Sequence, residues 1–170
     1  MEKRVKSIEL LNKAIEEELI TLHQYMYFHF VCEDRGYDPL AALFKRISIE
    51  EMIHVEELAE RILFLKGDVI MNVKIEVKQL HDVKEMLQAA LKLEDMSIHD
   101  YNEFAKICSE NSDSISKRLF EALVEKEERH YDLFDIELDN VKEFGDNYLA
   151  LQSIEHGKSV AEEAPRKTEL

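Results

Sequence analysis

The sequence predicts an all-α chain: a four-helix bundle with one long crossover between its second and third helices and a short fifth helix at the C-terminus. Three observations carry that expectation. Four Gly, two Pro, no Trp and 35% charged residues are poor material for a turn-rich β-fold and good material for long helices. The turn-forming residues gather at a few points and leave long uninterrupted stretches between them. Within each stretch apolar residues recur at alternating steps of three and four, the period of a helix with one buried face. At 170 residues and 45% apolar content the chain is long enough for one domain with a substantial core.

The elements follow in order. A first helix runs over about 5–35 and stops at Gly36. Asp38-Pro39 reads as a cap followed by proline at the first helical position, opening a second helix over 39–66 that stops at Gly67. Asp82 with Glu85 forms a capping box for a third helix over 82–110. The stretch Asn111 to Ser114 supplies a turn and a cap for a fourth helix over 114–144, ended by Gly145. A fifth helix covers about 146–156, with Gly157 at its end. Residues 1–157 then form one domain, in which the bundle proper covers 5–144, and residues 158–170 a flexible tail. No repeat of solenoid type is present.

The connection from Gly67 to His81, which contains VIMNVKIEV, is far longer than a tight turn between antiparallel helices needs. Fully extended it spans about 50 Å, and a helix of about 28 residues is about 42 Å long. It can therefore run the length of the bundle, whereas the alternative, a small strand, has no partner strand.

The chain carries 37 acidic and 22 basic side chains, a formal net charge of −15, which repels nucleic acid and anionic membranes and attracts cations. No apolar run approaches the roughly 18 residues of a membrane span, and MEKRVKSIELLNKAIEEE reaches acids before a secretory apolar region can form. These features place the protein in the cytoplasm. Cys32 and Cys108 are too few and too far apart for a Cys-x-x-Cys motif and read as small buried hydrophobes.

The predicted buried stripes hold the chemistry. They read Leu11, Ile15, Glu18, Leu22, Tyr25, His29 on the first helix and Leu40, Phe44, Ile47, Glu51, His54, Leu58, Leu65 on the second. The third gives Val83, Leu87, Ala90, Glu94, Ser97, Tyr101, Phe104, Cys108, and the fourth Phe120, Leu123, Glu127, His130, Phe134, Val141. Every stripe contains a glutamate. Four uncompensated buried carboxylates, each costing several kcal/mol, would threaten a net stability of about 5–15 kcal/mol. No Lys or Arg lies beside them on the stripes, which leaves protons or metal ions as the compensation.

Glu18, Glu51, Glu94 and Glu127 all fall about 19 Å from the start of their helices, so they converge at mid-height. Glu51 with His54 and Glu127 with His130 are Glu-x-x-His pairs, placing oxygen and nitrogen donors on one helical face. One such pair is expected by chance; two pairs and two single glutamates at equal depth match a di-iron carboxylate bundle. Four carboxylates balance two divalent cations, and this donor set suits iron or manganese, with zinc as a competitor. A protonated or water-filled polar core is the alternative.

The segments EELITLHQY, IEEMIHVEELAERILFLKG, LKLEDMSIHDY and EKEERHYDLFDIELDNVKEFGDNYLALQ resemble the bacterioferritins over about residues 5–157. The resemblance implies a ferritin-like fold and a ferroxidase centre in which Glu51 and Glu127 bridge two irons, Glu18 and His54 complete one shell, and Glu94 and His130 the other. It also implies Fe(II) oxidation by O2 or H2O2 and deposition of the mineral in a hollow homo-oligomer of 24 subunits. Such a shell would carry a summed charge of about −360, drawing ferrous ions to it. Tyr25 matches a family tyrosine near the centre, a hydrogen-bond donor or electron source, where periodicity alone reads a core aromatic.

Met52 matches the residue that binds haem, of b type in the family, between two subunits, one methionine from each. Read from the residues, Met52 lies off the core stripe beside Ile49, with Leu19 and Met26 as neighbours, in an apolar patch that suits a subunit interface. Electrons for iron release would come from a ferredoxin-type donor. Two departures stand out: Arg46 and Glu50 replace a histidine and an aspartate of an inner-surface iron site, and Leu133 stands where some members have tryptophan. The rivals are a di-iron peroxidase or oxygenase of rubrerythrin type, for which the chain lacks the cysteine module, and a DNA-protecting miniferritin, for which it lacks a basic tail.

Overall fold

The computed structural model describes residues 2–72, 74 and 76–163. Five helices follow in order: α1 (Glu2–Asp34), α2 (Asp38–Phe64), α3 (Val83–Glu110), α4 (Ser114–Phe144) and α5 (Asp146–Glu163). There is no strand among the described residues, and no helix there is long and apolar enough to cross a membrane. α1 packs on α2 and α3 on α4 as two helical hairpins, α1 also meets α3, and α5 folds back onto α2 and α4.

The hairpin turns are closed in one way. Gly36, at φ 70°, and Ser112, at φ 62°, take the left-handed conformation just past α1 and α3. The next residue then bonds back to the last turn, Tyr37 N to Cys32 O at 2.9 Å and Asp113 N to Cys108 O at 2.9 Å. Asp82 caps α3 by accepting from Glu85 N at 3.0 Å, and Asp113 caps α4 by accepting from Ser116 N at 3.1 Å. Arg61 of α2 reaches Asp113 at 2.6 Å and ties the second hairpin to the first.

Two expectations about ends need correction. α2 begins one residue earlier than Asp38-Pro39 suggested, with Tyr37 at the cap and no side-chain hydrogen bond there. The tight turn at Gly36 already directs the chain into the helix, and Ala41 N donates to Tyr37 O at 2.8 Å. The fifth helix runs past 156 to Glu163, so Gly157 lies inside it and residues 158–163 of the expected tail are helical. A single interior glycine costs only about 1 kcal/mol against alanine, which the helix-forming neighbours outweigh. Residues 164–170 lie outside the described residues.

The crossover runs along α1, held by side chains that act as surrogate backbone. Asn12 donates to Asp68 O at 3.0 Å and accepts from Ile70 N at 2.8 Å. Gln24 does the same to one residue, donating to Lys78 O at 3.0 Å and accepting from Lys78 N at 2.8 Å. Arg35 donates to His81 O at 2.5 Å. From Asn12 to Arg35 the anchored path covers about 35 Å of helix. An extended segment with no strand partner thus finds partners for its backbone in amide side chains.

The apolar core is divided. One cluster, with Leu11, Ile15, Leu58, Tyr101, Phe104, Cys108 and Phe120, fills one end. The other, with Tyr25, Phe28, Cys32, Phe44, Leu87 and Phe134, fills the opposite end. Cys32 and Cys108 are free and buried, one in each cluster. Between the clusters lies a polar layer made of the four stripe glutamates and two histidines.

Candidate metal centre

Glu18 comes from α1, Glu51 and His54 from α2, Glu94 from α3, and Glu127 and His130 from α4, all buried. They form two overlapping groups, Glu18, Glu51, His54, Glu127 and Glu51, Glu94, Glu127, His130, each able to offer ligand atoms within 4.8 Å of one another. Glu51 and Glu127 belong to both. Their two oxygens divide between the histidines: His54 Nδ1 lies 2.8 Å from Glu51 Oε2 and 3.0 Å from Glu127 Oε1. His130 Nδ1 lies 3.2 Å from Glu51 Oε1 and 3.3 Å from Glu127 Oε2. The single glutamates sit at the outer edges, Glu18 Oε2 at 3.4 Å from His54 Nδ1 and Glu94 Oε2 at 3.7 Å from His130 Nδ1.

Most of these inward atoms lack a hydrogen bond. Both oxygens of Glu51, Oε2 of Glu94, Oε1 of Glu127 and the two Nδ1 atoms are buried with no hydrogen-bond partner. Leaving one buried polar atom unsatisfied costs about 1–3 kcal/mol and more for a charge, so a site with six selects for a ligand that pairs them all. Hard oxygens in excess over two imidazoles, with no thiolate, are the donors that iron or manganese prefers.

Three of the atoms that face away from the centre are satisfied, on Glu18, Glu94 and His130. Tyr101 donates to Glu18 Oε1 at 2.6 Å, and Tyr25 makes a short hydrogen bond to Glu94 Oε1. Each phenol occupies one oxygen of a single glutamate and leaves the other turned inward. Glu50 Oε2 accepts from His130 Nε2 at 2.9 Å, which leaves Nδ1 as that ring's inward donor.

Charge in the metal-free centre is balanced by protons. Burial, then the negative charges of Glu127 and Glu51, push Glu18 well above the usual carboxylate range; burial and Glu51 do the same to Glu94. Burial opposes a charge on His54, but the carboxylates around it, Glu127 first, push it up to about 12. His130 is raised in the same way by Glu127 and Glu51. Glu127 is held down at about 2, because the two histidines outweigh its burial. Two divalent cations would replace these protons with fixed charge.

The six residues predicted as ligands are thus brought together, and Tyr25 is beside them. Met52 is not among them: it lies on the outer face of α2, 53% exposed, next to Ile49 and Ile53. Periodicity alone puts Tyr101 on a core stripe without a partner and gives no sign of Glu50 as the acceptor of His130. One signal marks Tyr101. Glu18, Tyr25, Glu51 and His54 are followed, each 76 positions later, by Glu94, Tyr101, Glu127 and His130. Cys32 and Cys108, and the left-handed Gly36 and Ser112, share that offset. The two hairpins are one pattern used twice, a relation of two halves that a search for short solenoid repeats passes over.

Comparison with known proteins gives a consistent picture. Residues 8–144 match the ferritin-like domain family. A bacterioferritin of Desulfovibrio desulfuricans is 38% identical over 149 residues, 88% of this chain and 83% of that protein. A bacterioferritin of Brucella melitensis is 36% identical over 141 residues, 83% and 88% of the two chains. The X-ray structure of the D. desulfuricans bacterioferritin, which describes its diiron site in different catalytic states, superposes with a TM-score of 0.87 at 37% identity, covering 89% of each chain.

Proposed function

From the premise that the chain belongs to the bacterioferritins, within the ferritin-like family, we propose that it stores and detoxifies iron by acting as a ferroxidase at its buried Glu/His centre. The observation that carries this reading is the set of six inward donor atoms left without hydrogen bonds between two apolar clusters. Two Fe(II) ions are the substrate. Each loses one electron; O2 takes the two electrons with two protons to give H2O2, or H2O2 takes them with two protons to give two waters.

The residues divide the work. Glu51 and Glu127 present one oxygen to each side and hold the two ions at a set separation. Glu18 with His54, and Glu94 with His130, complete the two shells. Four carboxylates match two Fe(II) in charge, and their hard oxygens favour the Fe(III) products. Tyr101 and Tyr25 fix which oxygen of Glu18 and Glu94 turns inward, and Tyr25 is a nearby electron source. The apolar clusters close the centre off toward the two ends of the bundle.

The exposed Met52, with Ile49 and Ile53, offers a soft thioether in an apolar surface and would hold a haem together with a second subunit. The haem, when bound, supplies an electron relay for iron release from a ferredoxin-type donor. The functional particle is a cytoplasmic homo-oligomer of 24 subunits with the mineral inside.

The test adds two Fe(II) per subunit to the metal-free particle in air and follows the initial rate of oxidation. Glu127→Ala is expected to lower that rate at least about 100-fold, equivalent to about 2.7 kcal/mol, with particle size unchanged. A parental rate in this variant overturns the assignment.

A further inference from the structure

The centre is symmetric in its inward donors and asymmetric in what stands behind them. His130 Nε2 is held by Glu50 Oε2 at 2.9 Å. That oxygen also accepts from Arg129 at 2.5 Å, and Arg46 flanks the other oxygen of Glu50 at 3.9 Å. The carboxylate is thus fixed between the His130 ring and the Arg129 guanidinium, with Arg46 alongside.

The position related to Glu50 by the offset of 76 is Lys126. An ammonium has no lone pair to offer a histidine, and Lys126 pairs with Glu57 at 2.8 Å. His54 therefore has no carboxylate behind it from the place where His130 has one. Instead, a pocket of about 190 Å³, open to the surface, is lined by Glu50, Ile53, His54, Lys126 and Arg129.

Resting on the two-metal reading above, we propose that Glu50 is a positioning residue that makes the two metal positions unequal: the Glu94–His130 position is tight, and the Glu18–His54 position exchanges its ion through the pocket beside His54. A carboxylate that orients a ligating histidine and raises its basicity is typically worth 10–100-fold in metal affinity. Only one of the two positions has it. The same contacts occupy Glu50, so it serves as a strut for the centre and not as a ligand of its own on that face. The asymmetry gives the pair an order of filling: the tight position loads first and stays loaded, and the other turns over.

The experiment titrates the metal-free, assembled protein with Co2+ alone, without oxygen, following visible absorption and heat. Two events per subunit are expected, at least about 10-fold apart in affinity. Glu50→Gln should weaken the tighter event about 10-fold and leave the weaker one and the melting temperature unchanged. In a His54→Gln background one event should remain and still respond to Glu50→Gln. In a His130→Gln background the remaining event should not respond. Two equal events in the parent, equal weakening of both by Glu50→Gln, or a Glu50 response in the His130→Gln background would each overturn the proposal. Fewer than two Co2+ per subunit in the parent would instead refute the two-metal centre itself, and this proposal with it.

Discussion

The α1–α2 hairpin and the α3–α4 hairpin supply the same donors at the same spacing, yet their outer faces differ at almost every position that touches solvent near the centre. Ile49, Met52 and Ile53 are exposed on α2, and 76 positions later α4 carries Glu125, Glu128 and Arg129. Glu50 faces His130, whereas Lys126 stands at the related place. On α1 the half-buried Glu17 corresponds to Leu93 of α3. The inward faces are alike because one centre constrains both: four carboxylates and two imidazoles must converge at one depth. The outward faces are free to diverge, and specialisation has gone there.

The largest expected effect breaks the symmetry at Met52. Met52→Leu should abolish the haem Soret band, while Glu128→Leu should keep it, with Fe(II) oxidation parental in both. A Soret band that survives Met52→Leu removes the haem role and leaves an apolar interface residue. The next comparison sharpens the symmetry. Tyr25→Phe and Tyr101→Phe each free the outer oxygen of one single glutamate, so each should weaken Co2+ binding about 10-fold. A loss confined to Tyr25→Phe would show that the second phenol is a packing residue only.

The smallest effect concerns Glu17. Burial, against the opposing pull of Lys13, raises its pKa to about 7, and one of its oxygens has no hydrogen-bond partner. An acid whose folded pKa lies above its unfolded value favours folding while protonated, so it weakens the fold as pH rises from about 4.5 through 7. Glu17→Gln should therefore raise stability above pH 7 by about 1 kcal/mol, discounted for partial exposure, and change nothing below pH 4. Equal effects at both pH values in denaturant melts would contradict that account.

Much of this architecture was legible because the signals were periodic. Helix ends at Gly36 and Gly145, the caps at Asp82 and Asp113, and the third stripe from Val83 to Cys108 follow from local chemistry and a 3.6-residue repeat. The six donors were legible because a glutamate on an apolar stripe is costly and four at one depth are costlier still. What escaped was of two kinds. Gly157 failed to stop α5, since a weak propensity yields to its neighbours. Contacts between elements escaped as well: Tyr101 with Glu18, Glu50 with His130, and the amide side chains of Asn12 and Gln24 on the crossover. Each joins residues from different helices or from a helix and a loop, and no periodicity within one element points to its partner. The offset of 76 is the exception, a long-range pattern that assigns Tyr101 the role of Tyr25.

The central claim is that one chain holds two metal ions between Glu51 and Glu127. Diffraction from crystals of the particle soaked in Fe(II) without oxygen, recorded at the iron absorption edge, tests it directly. Two anomalous peaks per chain are expected, one beside His54 and Glu18 and the other beside His130 and Glu94, both within reach of Glu51 and Glu127. A single peak, or peaks at the boundaries between chains with none inside the bundle, would contradict it.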